Sequence, residues 1–339
     1  MILDRDRPKR RRWVRQVLGI VISAGCLALV VRRIDFAEVE RALAQARWQY
    51  LALGLASLAF GYATRVQRWS VMLRAAGARV SGVACAAPFV GSVALNNVLP
   101  FRAGDVVRAV VFPTAIGVRR VTATASIVLE RILDLQTLLV VLGIGLALTR
   151  SVSVPAAFKG GVAIISILCG TGLAAAVIFS RPIARLISRA AAAAERRDRA
   201  RLAGGLRVGQ ELMEGLAAMS RPGVLARAFL LSMFVWLGEA GLFFALLTGL
   251  DLATGTAAAL VIMAVATLAT LVPSSPGYVG PFHLAAYSAV AALGGTSAQA
   301  ASFAILAHLA LWVPTTLAGA VAILANGQLF RGTARPTPY

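Results

Sequence analysis

Charged side chains are scarce in this chain, and acidic ones scarcer still. Of 339 residues only 14% are charged while 59% are hydrophobic, against about 25% charged in soluble domains. No ordinary globular core absorbs that much apolar surface, so a soluble protein is excluded. Between Leu252 and Phe330 there is no Asp, Glu, Lys or Arg at all, a length that holds about four membrane spans. Lysine is nearly absent as well: Lys9 and Lys159 stand alone, so the net charge of +20 is arginine charge. These arginines sit between apolar runs and at the N-terminus, where basic residues retain loops in the cytoplasm and meet anionic headgroups. They do not form the clustered basic face of a nucleic-acid binder, and no such partner is expected.

Cysteine and histidine are equally sparse. Cys26, Cys85 and Cys169 lie far apart in apolar segments without CxxC spacing, as small buried or lipid-facing side chains do. His283 and His308 are well separated and have no carboxylate nearby, so neither a metal site nor a cofactor is expected. Walker, GxSxG and HExxH patterns are missing, which leaves no catalytic residue to name. Arg5, Arg7, Lys9, Arg10, Arg11, Arg12 and Arg15 precede the apolar run Val17 to Val31, a pattern that resembles a signal peptide. No small-x-small cleavage site closes the run, so residues 1–16 read as a basic cytoplasmic segment followed by an uncleaved first helix.

Charge bounds place spans at about 17–31, 48–64, 121–149, 160–180, 228–250 and 302–325. Two further apolar regions, 80–113 and 252–294, are interrupted by Asn96, Asn97, Pro100 and Gly104, and by Pro273, Pro276, Gly277, Gly280 and Pro281. Such residues break helices, and in hydrocarbon a broken backbone survives only inside protein or beside water. Arg65, Arg68, Arg74 and Arg79 mark residues 65–79 as a cytoplasmic loop, and nine arginines against four acids mark 181–221 as another. Both assignments agree with a cytoplasmic N-terminus if each interrupted region dips into the membrane and returns. The fold expected is therefore an all-α integral membrane protein: about eight transmembrane helices in two inverted halves, with two re-entrant Pro/Gly-broken elements around a polar cavity. Residues 17–330 form its single membrane domain, 181–221 the cytoplasmic linker between halves, and 331–339 a cytoplasmic tail. No residue-by-residue internal repeat is visible, so this pseudo-symmetry rests on topology alone. Arg181, Arg185 and Arg189 share one helix face, suited to an interfacial helix or to a plain topology signal. A similar outer helix is expected from Asp35 to Arg47, its Arg33, Arg41 and Arg47 balanced by Asp35, Glu38 and Glu40.

Four constellations carry chemistry. In the stretch from Asn96 to Arg108, Asn97 and Pro100 precede Arg102, Asp105 and Arg108, and a helix starting near Gly104 puts Asp105 and Arg108 on one face. Guanidinium forks beside a helix start suit an anion; the alternative is an interfacial loop with a local Arg102/Asp105 pair. Glu130, Arg131 and Asp134 fall within an apolar span, where each costs about 2.5–3.5 kcal/mol unless it faces protein or water. Their expected partners are Arg102 and Arg108, in a ligand site or in a structural ion pair. Glu239 stands alone in its span, either neutral, paired with an arginine of the other half, coupled to protons, or simply packed. Ser275, Pro276, Gly277, Tyr278 and Gly280 offer neutral hydrogen bonds at membrane depth, for a passing headgroup or as a kink without a ligand.

Three of these motifs in order, Asn97-x-x-Pro100-x-Arg102-Ala103-Gly104-Asp105-x-x-Arg108, Glu130-Arg131-x-x-Asp134 and Pro276-Gly277-x-x-Gly280, resemble the flippase-like transmembrane region of lysylphosphatidylglycerol synthases, the YbhN family. The form Ser274-Ser275-Pro276-Gly277-Tyr278 is closest to its hopanoid-biosynthesis-associated branch. The resemblance implies an eight-helix domain whose broken elements line a cavity and which moves phospholipid headgroups between leaflets. Arg102, Asp105, Arg108, Glu130, Arg131 and Asp134 would then line that cavity. Family members often carry a glutamate shortly after the second glycine of the last motif, where this chain has Phe282 and His283. No residues remain for an aminoacyl-transferase domain, so lysyl-lipid synthesis is not expected.

The function expected is translocation of an anionic-headgroup phospholipid across the cell membrane, without enzymatic conversion. The competing readings are an enzyme acting on a lipid-linked substrate and a lipid-binding scaffold for other lipid-biosynthesis enzymes.

Overall fold

A computed structural model describes residues 21–32, 36–149, 156–252 and 255–333. The basic segment 1–16, Arg33, Asp35 and the tail beyond Thr333 lie outside the described residues. Every regular element described is helical: α1 (Val21–Val31), α2 (Phe36–Ala44), α3 (Gln49–Ala75), α4 (Gly82–Val98), α5 (Ala103–Val110), α6 (Phe112–Ala115), α7 (Arg120–Leu148), α8 (Ala156–Arg196), α9 (Ala200–Met219), α10 (Pro222–Gly249), α11 (Gly255–Ala269), α12 (Pro281–Ala292) and α13 (Ser297–Ala325). By length and composition α10 and α13 can each cross a membrane, and α8, bent by 41° between Ala175 and Val177, adds a third candidate.

Helix starts follow local chemistry. Ser81 accepts from the Ala84 N–H at 3.1 Å to open α4, and Thr296 and Gln299 form a reciprocal capping box at the start of α13. Two sequence expectations need correction. The helix expected at 48–64 runs on to Ala75, so Arg65 and Arg68 are helical side chains inside the protein; carboxylates of other helices neutralise them there. Residues 181–221 are likewise the end of α8 and all of α9, which pack as a helical hairpin.

Tertiary packing is reciprocal. α3 packs on α10 through Gly54, Ser57 and Gly61 against Gly238 and Leu242, and Ser57 Oγ donates to the Gly238 carbonyl at 2.9 Å. Small residues at such a contact let two backbones approach closely, which is how helices associate where lipid removes the usual hydrophobic drive. α4 packs on α13 and α7 on α11. Exchanging α3, α4, α5 and α7 for α10, α11, α12 and α13 maps each contact onto another: α4 with α5 onto α11 with α12, α5 with α7 onto α12 with α13, and α3 with α4 onto α10 with α11.

The two breaks share a conformation. Pro100 is followed by Phe101 (φ 61°) and Arg102 (φ 52°), and Pro276 by Gly277 (φ 74°) and Tyr278 (φ 60°). Each is a 3₁₀ turn with two successive left-handed residues, followed two positions later by a glycine. The five-residue pattern Pro-x-x-x-Gly therefore occurs at both breaks, a short echo hidden by the unlike residues between. Left-handed Phe101, Arg102 and Tyr278 each cost about 1–3 kcal/mol, a strain concentrated where the two halves meet.

Candidate functional site

The second left-handed residue of each break meets the other: the Arg102 guanidinium carbon lies 5.5 Å from the centre of the Tyr278 ring. This pair stands at a throat. On one side a mouth of about 600 Å³ opens between the breaks, lined by Leu99, Pro100, Phe101, Leu271, Val272 and the segment Pro273 to Tyr278. On the other side lies a chamber of about 360 Å³, walled by Asn96, Asn97, Arg65, Arg108, Arg131, Asp105, Glu130, Asp134 and Glu239 among others.

Helix geometry builds the chamber. Gly104 lets α5 start against α4, because a Cβ there would stand 1.9 Å from the Ser92 carbonyl oxygen. Asn96 then binds both ends of Asp105, accepting from its N–H at 3.1 Å and donating to its carboxylate at 3.0 Å. Arg108, one turn on, holds Glu130 of α7 with two parallel hydrogen bonds of 2.6 and 3.2 Å, a bidentate fork. Phe89 covers its other face at 4.5 Å. Arg131 bridges three carboxylates, Asp105 at 2.9 Å, Glu130 at 3.4 Å and Asp134 at 3.6 Å.

Sequence reading paired Glu130 and Asp134 with Arg102 and Arg108; only the second pairing forms. Arg68, fully buried, takes Asp134 at 2.6 Å together with the Ser232 hydroxyl. Among the described residues Arg102 makes no ion pair, and the local Arg102/Asp105 pair is not made; its guanidinium hydrogen-bonds Thr270, at 3.4 Å to the hydroxyl. Glu239 does pair with an arginine of the other half: Arg65 of α3 lies at 2.8 Å, stacked on Trp236, and Thr267 donates to the same carboxylate at 3.0 Å. Arg65 and Arg68 escaped sequence reading because they look like the positive border of a span. The available signal was their spacing of three, one face of a helix that need not end there.

Arginines exceed carboxylates. Arg65, Arg68, Arg102, Arg108 and Arg131 face Asp105, Glu130, Asp134 and Glu239, and the surplus charge sits on Arg102 at the throat. Donors exceed acceptors too: Arg68 Nε and Nη2, Arg108 Nε and Arg131 Nε are buried without a hydrogen-bond partner. Such a wall favours an added anion.

The second break is held differently. Ser275 receives the Ser23 hydroxyl of α1 at 3.0 Å and gives its N–H to the same oxygen at 2.9 Å. Gly280 presses on α1, where a Cβ would stand 2.6 Å from the Ser23 carbonyl oxygen. His308 Nε2 lies 2.7 Å from the Gly277 carbonyl, which requires the proton on that nitrogen. His283 Nδ1 accepts from the Gly280 N–H at 3.5 Å, and the two imidazole centres are 4.6 Å apart. Sequence separation concealed this pairing. Ser275, Gly277 and Gly280 thus have packing partners of their own, and Ser275 and Gly277 line the mouth together with Pro276 and Tyr278. Asn97 ties the first break to α13, donating to Thr315 at 3.0 Å and Thr316 at 2.9 Å. No group of His, Cys, Asp and Glu able to hold a metal occurs among the described residues.

Comparison with known proteins agrees with a membrane setting. Over 168 residues the chain is 31% identical to glycosyltransferase AglD of Haloferax volcanii, a stretch covering 49% of this chain and 26% of that protein. The chain thus spans about a quarter of that relative's length. No solved structure matches. Residues 16–319 match the family described as the lysylphosphatidylglycerol synthase TM region, and with most of its length inside that match the chain belongs to this family of membrane proteins.

Proposed function

We propose that the protein moves a lipid with an anionic headgroup between membrane leaflets, the headgroup passing through the arginine-carboxylate chamber. The observation that carries this reading is the surplus guanidinium of Arg102, half-buried at the throat and without an ion pair among the described residues. Arg131 is the second guanidinium a headgroup can reach. It is the most exposed arginine of the paired network, and each of its carboxylates has another partner: Asp105 has Asn96 and Arg108, Glu130 has Arg108, and Asp134 has Arg68. A phosphate can therefore recruit Arg131 without stranding a buried charge, which would otherwise be strongly unfavourable. In this reading the halves insert in opposite orientations with about eight crossings. The two breaks are re-entrant, both termini are cytoplasmic, and the α8–α9 hairpin is the basic cytoplasmic linker. Paired interrupted elements in two halves are where such a translocation site is expected.

The test uses phosphatidylcholine vesicles containing the full chain and a fluorescent phosphatidylglycerol, with a quencher added outside. Wild-type protein should expose inner-leaflet lipid to the quencher. Arg102→Ala and Arg131→Ala should slow this by about tenfold or more, the effect of one lost charge-assisted hydrogen bond. Wild-type rates in both variants refute the assignment.

Likeness to a protein named as a glycosyltransferase favours a second reading, an enzyme acting on a lipid-linked substrate. The engagement of every chamber carboxylate by guanidinium weighs against it, since none is left free as a general base. Mass spectrometry of lipids incubated with purified protein separates the two: conversion supports the enzyme, redistribution without conversion the translocator.

A further inference from the structure

On the outer side of the same helices lies a second hollow. A groove of about 590 Å³ runs between α3, α4 and α13, lined along α3 by Leu55, Leu58, Ala59, Tyr62, Ala63 and Val66. That stripe keeps the spacing of one helix face over eleven residues, roughly 16 Å at 1.5 Å per residue. Small side chains make the hollow: Ala59, Ala63 and Ala318 are exposed into it, where leucines would fill it. Apart from Tyr62, Gln67 and Thr315 its walls are apolar throughout.

The groove's inner end is the chamber's outer wall. Tyr62 lines both hollows, its ring 5.5 Å from the Arg65 guanidinium on the chamber side. Thr315 of α13, which lines the groove with it, receives Asn97 of α4 at 3.0 Å. The Asn97–Thr315 bond therefore joins α4 to α13 beside Tyr62 of α3, and Asn97 is three residues from the first break. An apolar slot that ends on a charged chamber, with one side chain between, has the polarity of an amphiphile.

We propose that this groove holds a hydrocarbon chain of the same lipid whose headgroup occupies the chamber, with Tyr62 and Thr315 as the door between tail and head. The proposal rests on the headgroup reading above. Bilayer lipid brushes every outward surface, so the claim is specific: chain contact in this groove contributes to substrate binding, and chain contact elsewhere does not.

The full chain in detergent is titrated with long-chain dioleoylphosphatidylglycerol and with short-chain dihexanoylphosphatidylglycerol, and bound lipid is counted by native mass spectrometry. Ala63→Trp and Ala318→Trp fill the groove; Leu324→Trp places the same indole at an exposed position outside it. Groove-filling variants should bind the long-chain lipid about tenfold more weakly, the effect of exposing two methylenes. Their short-chain binding should stay at the wild-type level, and Leu324→Trp should match wild type for both lipids. Undiminished long-chain binding by both groove variants, or an equal loss in Leu324→Trp, overturns the groove as a tail site. Failure of wild-type protein to bind either lipid sinks the chamber reading and the tail site with it, a result distinct from failure of the groove alone.

Discussion

The two helix breaks have one backbone and two chemistries. Both run Pro, left-handed, left-handed, then glycine, yet the first is fastened by ions and the second by neutral groups. Around the first, Asp105, Arg108, Glu130 and Arg131 are locked across α5 and α7; around the second, Ser23, His283 and His308 hold backbone atoms of the turn itself. Charges placed in a low-dielectric interior must be matched almost one for one, so the first break is fixed by the ion pairs around it. Neutral hydrogen bonds are individually weaker and far cheaper to remake. The comparison teaches that one turn geometry can be held by ion pairs in one half and by neutral hydrogen bonds in the other.

The contrast is open to direct attack. Arg108→Ala, which takes both charge-assisted hydrogen bonds from Glu130 and leaves it the looser contact with Arg131, should cost about 3–5 kcal/mol, read as a fall in thermal midpoint of the detergent-solubilised protein. A small effect there removes the ionic account of the first break. Gly104→Ala should cost about 3 kcal/mol, because its Cβ meets the backbone of the adjoining helix α4. Gly280→Ala should cost a similar amount, because a backbone at φ 99° that L side chains rarely adopt adds to the 2.6 Å approach to the Ser23 carbonyl oxygen; a much smaller cost would mean that α1 yields. His308→Leu leaves the Gly277 carbonyl unpaired and should cost about 1–3 kcal/mol, whereas His308→Gln keeps a donor and should recover most of it. The smallest effect is expected from Arg102→Gln: below about 1 kcal/mol in stability, since only the aromatic contact and a long hydrogen bond are lost, while lipid movement fails.

Much of this was legible from residue order. The helical membrane fold followed from the shortage of charge, and the two breaks from Pro, Gly and Asn clustered inside apolar runs. Most of the charged residues singled out by cost in hydrocarbon, Asp105, Arg108, Glu130, Arg131, Asp134 and Glu239, do converge on one chamber. The partnerships were not legible. Arg68 and Arg65 read as the border of a span because nothing local distinguishes an arginine facing water from one facing a carboxylate on a distant helix. Arg102, expected to neutralise a carboxylate, is the one left over, since Arg68 reaches Asp134 first. The histidines illustrate the same limit: a separation of 25 positions hid rings that touch.

Composition alone therefore decided the solvent of this protein and, with it, the need for every buried charge and every broken backbone segment to find a partner, because hydrocarbon offers none. Which partner each one found was decided only when the helices packed. Pairing depends on distances of a few ångströms between side chains remote along the chain, and it was this three-dimensional matching that left a single guanidinium uncommitted at the throat.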